Sequence, residues 1–409
     1  MKVNKYFPFI LIYFFVNSVV LPFGLTYTTL LAPLFYVWIL LTRKKEILLP
    51  FLAILLPFIL VQLFFTGVDE ESYFISLLLF ILVYISCQAV YTFFRVCEDP
   101  EKIFKRLLII NFILCLVAIV FYFSPWYYIF WIAQDYTKGV QEFRRLKLFT
   151  YEASYYATLF TPLFFFFFLQ YFFRQNSIKS GWLLLMLFLP YLLSFSIGVI
   201  GSILLSCILT WLIYFRKLTP KRRVLNTIIS LGALCGSIMT VVVLFFRHNP
   251  VLTRIENIFS GQDLSARGRT EDAYIIAGKI LEQKDKYWGI GAGQVKIAGA
   301  DIIREYYLYS PWHPVSIPNA VAETLVIFGW TGIFLRFGIE IFLFFYTRVW
   351  SNYFRLLLFF FIFIFQFAGS FITNIAEYVI WILAFTNVFK QFDVKTQQVQ
   401  SYHPADLDD

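Results

Sequence analysis

Two arginines stand immediately before a segment that has the pattern of an amphipathic helix. Arg267 and Arg269 flank Gly268, and the predicted helix, 270–288, starts with Thr270 as its N-cap. Guanidinium groups beside the positive end of a helix favour an anion, above all a phosphate. The alternative is that both arginines only pair with acidic residues in the first helical turn. Both interpretations stay open at this point.

A second basic segment precedes a glutamate. Arg144 and Arg145 lie within 134–156, seven or eight residues before Glu152, which stands at the mouth of the next apolar run. The charge balance of the chain, described below, places this segment outside the membrane, where Lys and Arg are disfavoured in short loops. These arginines are therefore candidates for a functional role.

Carboxylates also occur within an apolar run. Asn319 and Glu323 are four residues apart, so a helix places them on one face. A lone carboxylate one turn into such a run is costly, which makes Glu323 a functional candidate. Arg336 and Glu340 are predicted to lie about 25 Å deeper by helix rise. We interpret them as a structural pair that snorkels towards the cytoplasmic boundary.

The segment between these two regions is aromatic. Its rings can form an interfacial belt of a membrane protein or stack against sugar rings, and they belong to Tyr306, Tyr307, Tyr309 and Trp312.

The G-x-G-x-G run at 288–294 follows a helix and not a strand, which excludes the dinucleotide fingerprint. Its glycines predict a tight turn that returns the chain to the membrane. The cysteines show no C-x-x-C spacing, so no metal or disulfide role is expected.

The high hydrophobic content of the chain predicts that membrane-spanning helices hold the candidate residues described above. Of 409 residues, 60% are hydrophobic and 14% are charged, whereas soluble domains carry about 25% charged residues. The expected fold class is all-α, a polytopic integral membrane protein with about 12 transmembrane helices (10–12). Its 52 Phe are expected to favour the lipid-facing surface. The predicted spans are 6–22, 25–41, 47–65, 73–94, 107–131, 153–173, 181–195, 197–215, 224–246, 318–346, 356–373 and 376–389.

Lysine and arginine distribution predicts the topology. The short connections on one side are basic and those opposite are not, which places the first side, with both termini, in the cytoplasm. The net charge of +9 then reflects topology, and no clustered basic domain supports nucleic-acid binding. The predicted regions are 1–246 with helices 1–9 and an external basic loop at 132–152, a large external loop at 247–317 with the amphipathic helix, 318–390 with helices 10–12, and a cytoplasmic tail at 391–409.

Four stretches make the chain resemble the O-antigen polymerase and ligase superfamily of bacterial envelope glycosyltransferases. They are the Arg144-Arg145 pair followed by FTYEAS, SFSIGVIG at 194–201, SARGRTEDA…WGIGAG at 265–293, and IPNAVAETLVIFGWTG at 317–332. Many relatives, ligases especially, carry a histidine directly before the asparagine. Here that position is Pro318 and the nearest external histidine is His313, so the polymerase branch is the better match.

The resemblance implies a metal-independent enzyme without a cofactor in the bacterial cytoplasmic membrane. Its substrate would be an oligosaccharide repeat linked to polyprenyl diphosphate, joined on the outer face by a single displacement. Its partners would be the lipid bilayer and a chain-length regulator in the same membrane. The alternatives are an O-antigen ligase, a flippase for lipid-linked oligosaccharides and a peptidoglycan polymerase.

Site roles follow from this hypothesis. The substrate diphosphate would bind Arg144, Arg145, Arg267 and Arg269. Candidates for orienting or deprotonating the acceptor hydroxyl are Glu152 first, then Glu323 and His313. Candidate glycan contacts are Tyr155, Tyr306, Trp312 and Asn319.

Overall fold

The computed structural model describes residues 13–14, 26–43, 48–134, 143–173, 175, 178–214, 256–258 and 260–397. Within these ranges the chain is mostly helical, and five helices are long and apolar enough to cross a membrane. Most of the predicted span 6–22, the whole of 224–246 and the end of the predicted tail lie outside the described residues.

The helices that could cross a membrane are α3 (Glu70–Val96), α4 (Pro100–Phe121), α5 (Ala153–Phe172), α7 (Ile197–Tyr214) and α11 (Ala320–Tyr346). Shorter apolar helices are α1 (Tyr27–Arg43), α2 (Leu48–Val61), α6 (Ser180–Ser194), α12 (Tyr353–Phe365) and α13 (Ile375–Phe385). A β-hairpin, β1 (Trp131–Gln134) and β2 (Phe143–Leu146), precedes α5. The described residues between α7 and α11 include the helices α8 (Leu264–Arg269), α9 (Glu271–Leu281) and α10 (Ala300–Tyr307).

Helix α5 is the centre of the main hydrophobic core. Nearly all of its side chains are buried, including the run of phenylalanines from Phe164 to Phe167. Their rings pack against α12 and the chain after α13, for example Phe166 on Phe354 and Phe389. The expectation that phenylalanine favours the lipid-facing surface is therefore wrong for this helix, because its rings fill the interior of the bundle.

Helix α9 confirms the predicted amphipathic pattern, but it ends at Leu281 and not at residue 288 as predicted. Its buried side chains include five at the i, i+3, i+4, i+7 and i+8 positions of one helix face, namely Ala273, Ile276, Ala277, Ile280 and Leu281. This face joins a hydrophobic cluster with Val326 and Ile327 of α11. Thr270 is not the predicted side-chain cap, because its hydroxyl donates to the Ala266 carbonyl in the preceding helix.

Helix α11 is broken at Gly329, which has φ 65° and ψ −164°. The predicted span 318–346 is thus two helical halves. Trp330 N and Thr331 N donate to the carbonyls of Lys286 and Tyr287 instead of to their own helix. The carbonyls that they leave open, those of Val326 and Ile327, accept from Ile290 N and Gly291 N. The predicted turn at 288–294 therefore packs against the break. Together with the residues before it, this turn forms hydrogen bonds with the backbone groups that the break leaves unpaired, as buried N–H and C=O groups require.

The break also changes where Arg336 lies. Its Nη1 is 3.1 Å from Thr324 Oγ1, twelve residues earlier in the chain. A straight helix would separate such residues by about 18 Å along its axis. The predicted depth is therefore wrong. The predicted snorkelling is wrong as well, because the Arg336 side chain is only 12% exposed and contacts carboxylates inside the bundle.

The break can be tested with two glycines of the same helix. A Cβ at Gly329 would lie 2.3 Å from the Tyr287 carbonyl oxygen, whereas one at Gly338 would meet nothing within 4 Å. We expect Gly329→Ala to cost about 3 kcal/mol, since strained backbone alone costs about 1–3 kcal/mol. Gly338→Ala should change stability by less than about 1 kcal/mol. Thermal unfolding of the two detergent-purified variants measures the difference, and equal melting temperatures would contradict the break.

Candidate functional site

Two of the predicted site residues meet in an ion pair. Glu152, directly before α5, and Arg269, the last residue of α8, are 2.7 Å apart between Oε1 and Nη2. Their side chains are 19% and 27% exposed. They line a pocket of about 10 Å³, here called the Glu152–Arg269 pocket, together with Tyr151, Ser154, Tyr155, Thr158, Pro318, Phe365, Ser370, Phe371 and Asn374. That volume suits one water-sized polar group.

The carboxylate of Glu152 is held in its charged form. Burial raises its pKa, but the charge of Arg269, hydrogen bonds from Ser154 and Arg269 and the charge of Arg145 together lower it below its ordinary value. A carboxylate with a depressed pKa is a weak proton acceptor at neutral pH. Glu152 is therefore better suited to orienting a hydroxyl or holding Arg269 than to acting alone as the base.

The lowered pKa of Glu152 predicts a specific pH dependence of stability. A depressed folded-state pKa contributes stability that is complete above the ordinary pKa of 4.5 and is lost as pH falls through the lower folded value. We expect the melting temperature of the wild type to fall towards that of Glu152→Gln only below about pH 4.5. A difference that stays constant down to pH 3 would contradict the ion pair.

Arg145 lies near this pair but is anchored elsewhere. Its side chain is buried, and Nε donates to the Ser194 carbonyl at 2.8 Å. Ser194 is the last residue of α6, where carbonyl groups give a negative potential that favours a cation. The charge of Arg145 still acts on Glu152, so Arg145 adds to the positive potential at the pocket.

The structure does not bring Arg144 into the pocket. Its guanidinium lies over the rings of Tyr127 and Tyr122, 3.7 and 5.3 Å from their centroids, and Nη1 donates to the Tyr122 carbonyl. These contacts hold the hairpin against the end of α4. The contacts of Arg144 lie within the hairpin region and outside the lining of the Glu152–Arg269 pocket, so its predicted binding of the diphosphate stays a prediction.

Arg267 follows the alternative that the sequence left open. It pairs with Asp272 at 3.0 Å, and the Tyr306 hydroxyl donates to the same carboxylate. Asp272 is 1% exposed, so this cluster binds α8 and α10 to the first turn of α9. Arg267 and Tyr306 thus lie outside the pocket lining, and their predicted substrate contacts stay predictions.

Asn319 positions Arg269, and both ends of its side-chain amide are hydrogen-bonded within the protein. Its amide Nδ2 donates to the carbonyls of Arg269 and Phe367, and its Oδ1 caps α11 by accepting from Ala322 N. The residue is fully buried, which excludes the predicted glycan contact in this conformation. Tyr155, in contrast, does line the pocket and packs on Tyr151 with ring centroids 4.7 Å apart.

The remaining predicted residues lie elsewhere. His313 packs on Tyr309, with ring centroids 4.1 Å apart, and Trp312 is 92% exposed. Neither belongs to the lining of the Glu152–Arg269 pocket. Glu323 accepts from Ile372 N at 2.7 Å. It therefore fixes the segment 370–374, which forms one wall of the pocket.

Sequence reasoning missed a buried ion cluster between α11, α12 and α13. Arg336 contacts Glu340 at 3.2 Å, Gln366 at 2.8 Å and Glu377. Gln366 also donates to Glu340, and Ser370 donates to Glu377. The signal was present, since Glu377 is a charged residue inside a predicted span and such residues are functional candidates.

A large cavity lies beside this cluster. It has a volume of about 830 Å³ between α2, α3, α11 and α13, and is here called the interhelical cavity. Its walls are mostly apolar and include Leu55, Phe58, Phe328, Leu335, Leu343, Trp381 and Phe385. Arg336 and Glu340 form a polar patch, and Ile372 connects this wall to the 370–374 segment of the other pocket.

Within the ranges that the structure describes, no three His, Cys, Asp or Glu side chains form a group that could hold a metal ion. A comparison with models of known protein families finds no match for this chain, and a comparison with curated proteins finds none. Functional assignment therefore depends on the geometry of the site and the chemistry of its residues.

Proposed function

We propose that this chain is a polysaccharide polymerase of the bacterial cytoplasmic membrane. It would join oligosaccharide repeats linked to polyprenyl diphosphate on the outer face, with about 12 spans and cytoplasmic termini. The observation that carries the proposal is the interhelical cavity of about 830 Å³, which Ile372 lines, while its neighbours Ser370, Phe371 and Asn374 line the Glu152–Arg269 pocket. An apolar chain and a charged head group need this kind of adjacent pair of sites.

The cavity suits the isoprenoid part of the substrate. Sites for small molecules measure about 300–1,000 Å³ and are lined mainly by apolar side chains with a few polar groups. The interhelical cavity falls in this range, and two of its four wall helices, α3 and α11, are long and apolar enough to cross a membrane. A polyprenyl chain in the bilayer would enter between such helices without passing through water.

The charged groups suit the diphosphate. The Arg269 side chain is 27% exposed and its partner Glu152 is 19% exposed. The charge of Arg145 adds positive potential at this pair. Donors placed where charge builds in the transition state stabilise it, often by several kcal/mol. In the proposed reaction, an acceptor hydroxyl attacks the anomeric carbon of the growing chain. The bond from that carbon to the diphosphate oxygen breaks, and polyprenyl diphosphate leaves with the electron pair.

The buried ion cluster favours one rival function. A flippase needs charged groups along a path inside the membrane, and Arg336, Glu340 and Glu377 are charged groups within the bundle. Two of them line the interhelical cavity. A ligase that moves finished polymer to another acceptor would use the same donor, and the site geometry does not separate it from a polymerase.

The size of the lipid-linked glycan in cells lacking this protein separates these functions. A polymerase predicts single repeat units on the polyprenyl carrier at the outer face. Long finished chains stranded on the carrier would identify a ligase. Single repeats confined to the cytoplasmic face would identify a flippase, and either of these results would overturn the proposal.

A further inference from the structure

We infer that Ser370 and Glu377 form a proton relay that takes the proton of the acceptor hydroxyl. Ser370 would contact the hydroxyl in the Glu152–Arg269 pocket, and Glu377 would receive the proton inside the bundle. This inference rests on the proposed glycosyl transfer. It assigns the base to a residue outside the candidates that the sequence offered.

Ser370 has the position and the free bonding capacity for this role. It lines the Glu152–Arg269 pocket, and its hydroxyl donates to Glu377 Oε2 at 2.6 Å. One of its lone pairs accepts from Asn374 Nδ2 at 2.8 Å. A serine hydroxyl has one hydrogen and two lone pairs. Among the residues that the structure describes, no hydrogen-bond donor occupies the second lone pair, so it can accept a hydrogen from a bound hydroxyl.

The backbone at Ser370 supports a functional requirement for the hydroxyl. Its φ is 71°, in the region that glycine adopts freely and other residues rarely. A serine there costs backbone strain, which clusters at functional sites. The segment is held from both sides, because Ile372 N donates to Glu323 and the Tyr378 hydroxyl donates to the Ile372 carbonyl.

Glu377 belongs to a buried cluster in which two carboxylates share one guanidinium. The guanidinium is that of Arg336, and the carboxylates are those of Glu340 and Glu377. With both ionised, the cluster carries one excess negative charge in a place where Glu377 is 1% exposed. Taking up one proton would cancel that formal charge, and Glu377 is the carboxylate of the cluster that the Ser370 hydroxyl contacts directly. Glu152 and Arg269, in contrast, are one carboxylate paired with one guanidinium.

The transfer balances in atoms and charge. The acceptor O–H bond breaks as its oxygen bonds to the anomeric carbon, and the proton passes to Ser370 Oγ. The proton that Ser370 already carries moves along its 2.6 Å hydrogen bond to Glu377 Oε2. Polyprenyl diphosphate leaves with the electron pair of the broken carbon–oxygen bond. No oxidant, reductant or other reactant is required.

The test compares purified variants with a lipid-linked repeat as substrate. Ser370→Gly removes the hydroxyl and suits the positive φ, so it tests chemistry without added strain. We expect kcat to fall about 100-fold or more, the range of general base catalysis, with KM within about twofold. Glu377→Asp should retain more kcat than Glu377→Gln. The matched control is Ser206→Ala, a buried serine whose hydroxyl bonds only within its own helix.

Each outcome has a distinct meaning. If the wild-type protein does not lengthen the substrate, the proposed polymerase function is wrong. If the wild type is active and Ser370→Gly keeps its kcat, the relay is wrong and the polymerase proposal stands. A Ser370→Gly variant that raises KM at unchanged kcat would assign the hydroxyl to binding only, which also overturns the relay.

Discussion

Arg269→Ala is expected to abolish polymerisation while Arg267→Ala leaves most of it. The two arginines are two residues apart, but Arg269 faces the Glu152–Arg269 pocket and Arg267 pairs with Asp272 outside it. Removing a donor that stabilises transition-state charge costs about 10²–10³ in kcat. Arg267→Ala leaves the buried Asp272 without its cation and should lower stability. It removes no group from the pocket, so the kcat of the folded protein should stay within about threefold of wild type.

A fold defect must be separated from lost chemistry in this comparison. Arg269→Ala leaves Glu152 without its partner, and an unpaired buried carboxylate destabilises the fold. The double variant Arg269→Ala with Glu152→Gln removes both charges and should recover stability without recovering activity. Kinetics on a lipid-linked repeat, with melting temperatures measured alongside, check both points. Equal activity of the two single arginine variants would contradict the assigned site.

Arg336→Met is expected to be the most destabilising single substitution in the buried ion cluster. It leaves Glu340 and Glu377 buried without a cation, and breaking a buried ion pair costs about 3–5 kcal/mol. The side chain also donates to Gln366 and Thr324, so its loss opens further hydrogen bonds. Thermal unfolding of the detergent-purified variant measures the effect.

Two further variants make the Arg336 prediction specific. Arg304→Ala removes a pair with Asp301, whose side chain is 97% exposed, and should cost less than about 1 kcal/mol. Replacing Arg336, Glu340 and Glu377 together by Met, Gln and Gln should recover part of the lost stability, because no unpaired charge remains. A single Arg336→Met variant as stable as Arg304→Ala would show that the cluster is not buried.

The apolar helices and the face of α9 were predictable because local pattern determines them. Hydropathy marked the runs that form α3, α4, α5, α7 and α11. The 3.6-residue period marked the buried face of α9, and tertiary packing only completed it. Which phenylalanines are buried could not be predicted, since a run of identical side chains around a helix carries no period.

The break in α11 shows where the sequence was insufficient. The apolar run at 318–346 is long enough to span a membrane, and Gly329 alone does not predict a break within it. The break exists because the segment around Gly289 replaces two intrahelical hydrogen bonds with four of its own. That replacement depends on residues about forty positions away, which periodicity does not register.

The site was predicted in its residue types but not in its pairings. Glu152 and Arg269 were both candidates, yet Arg267 and Arg144 looked equivalent to Arg269 in sequence. Tertiary contacts distinguish them, because Arg267 forms an ion pair with Asp272 and Arg144 lies over two tyrosine rings. Glu377 stood in an apolar run like Glu323, but only the fold shows that it shares Arg336 with Glu340.

Reconstitution of the purified protein shows directly whether it transfers glycosyl groups between lipid-linked repeats. The purified protein would be placed in liposomes with a polyprenyl-diphosphate-linked repeat and no nucleotide. A polymerase should produce a ladder of longer lipid-linked products, with one polyprenyl diphosphate released for each repeat joined. Repeats that cross the bilayer without growing in size would contradict the account and identify a transporter.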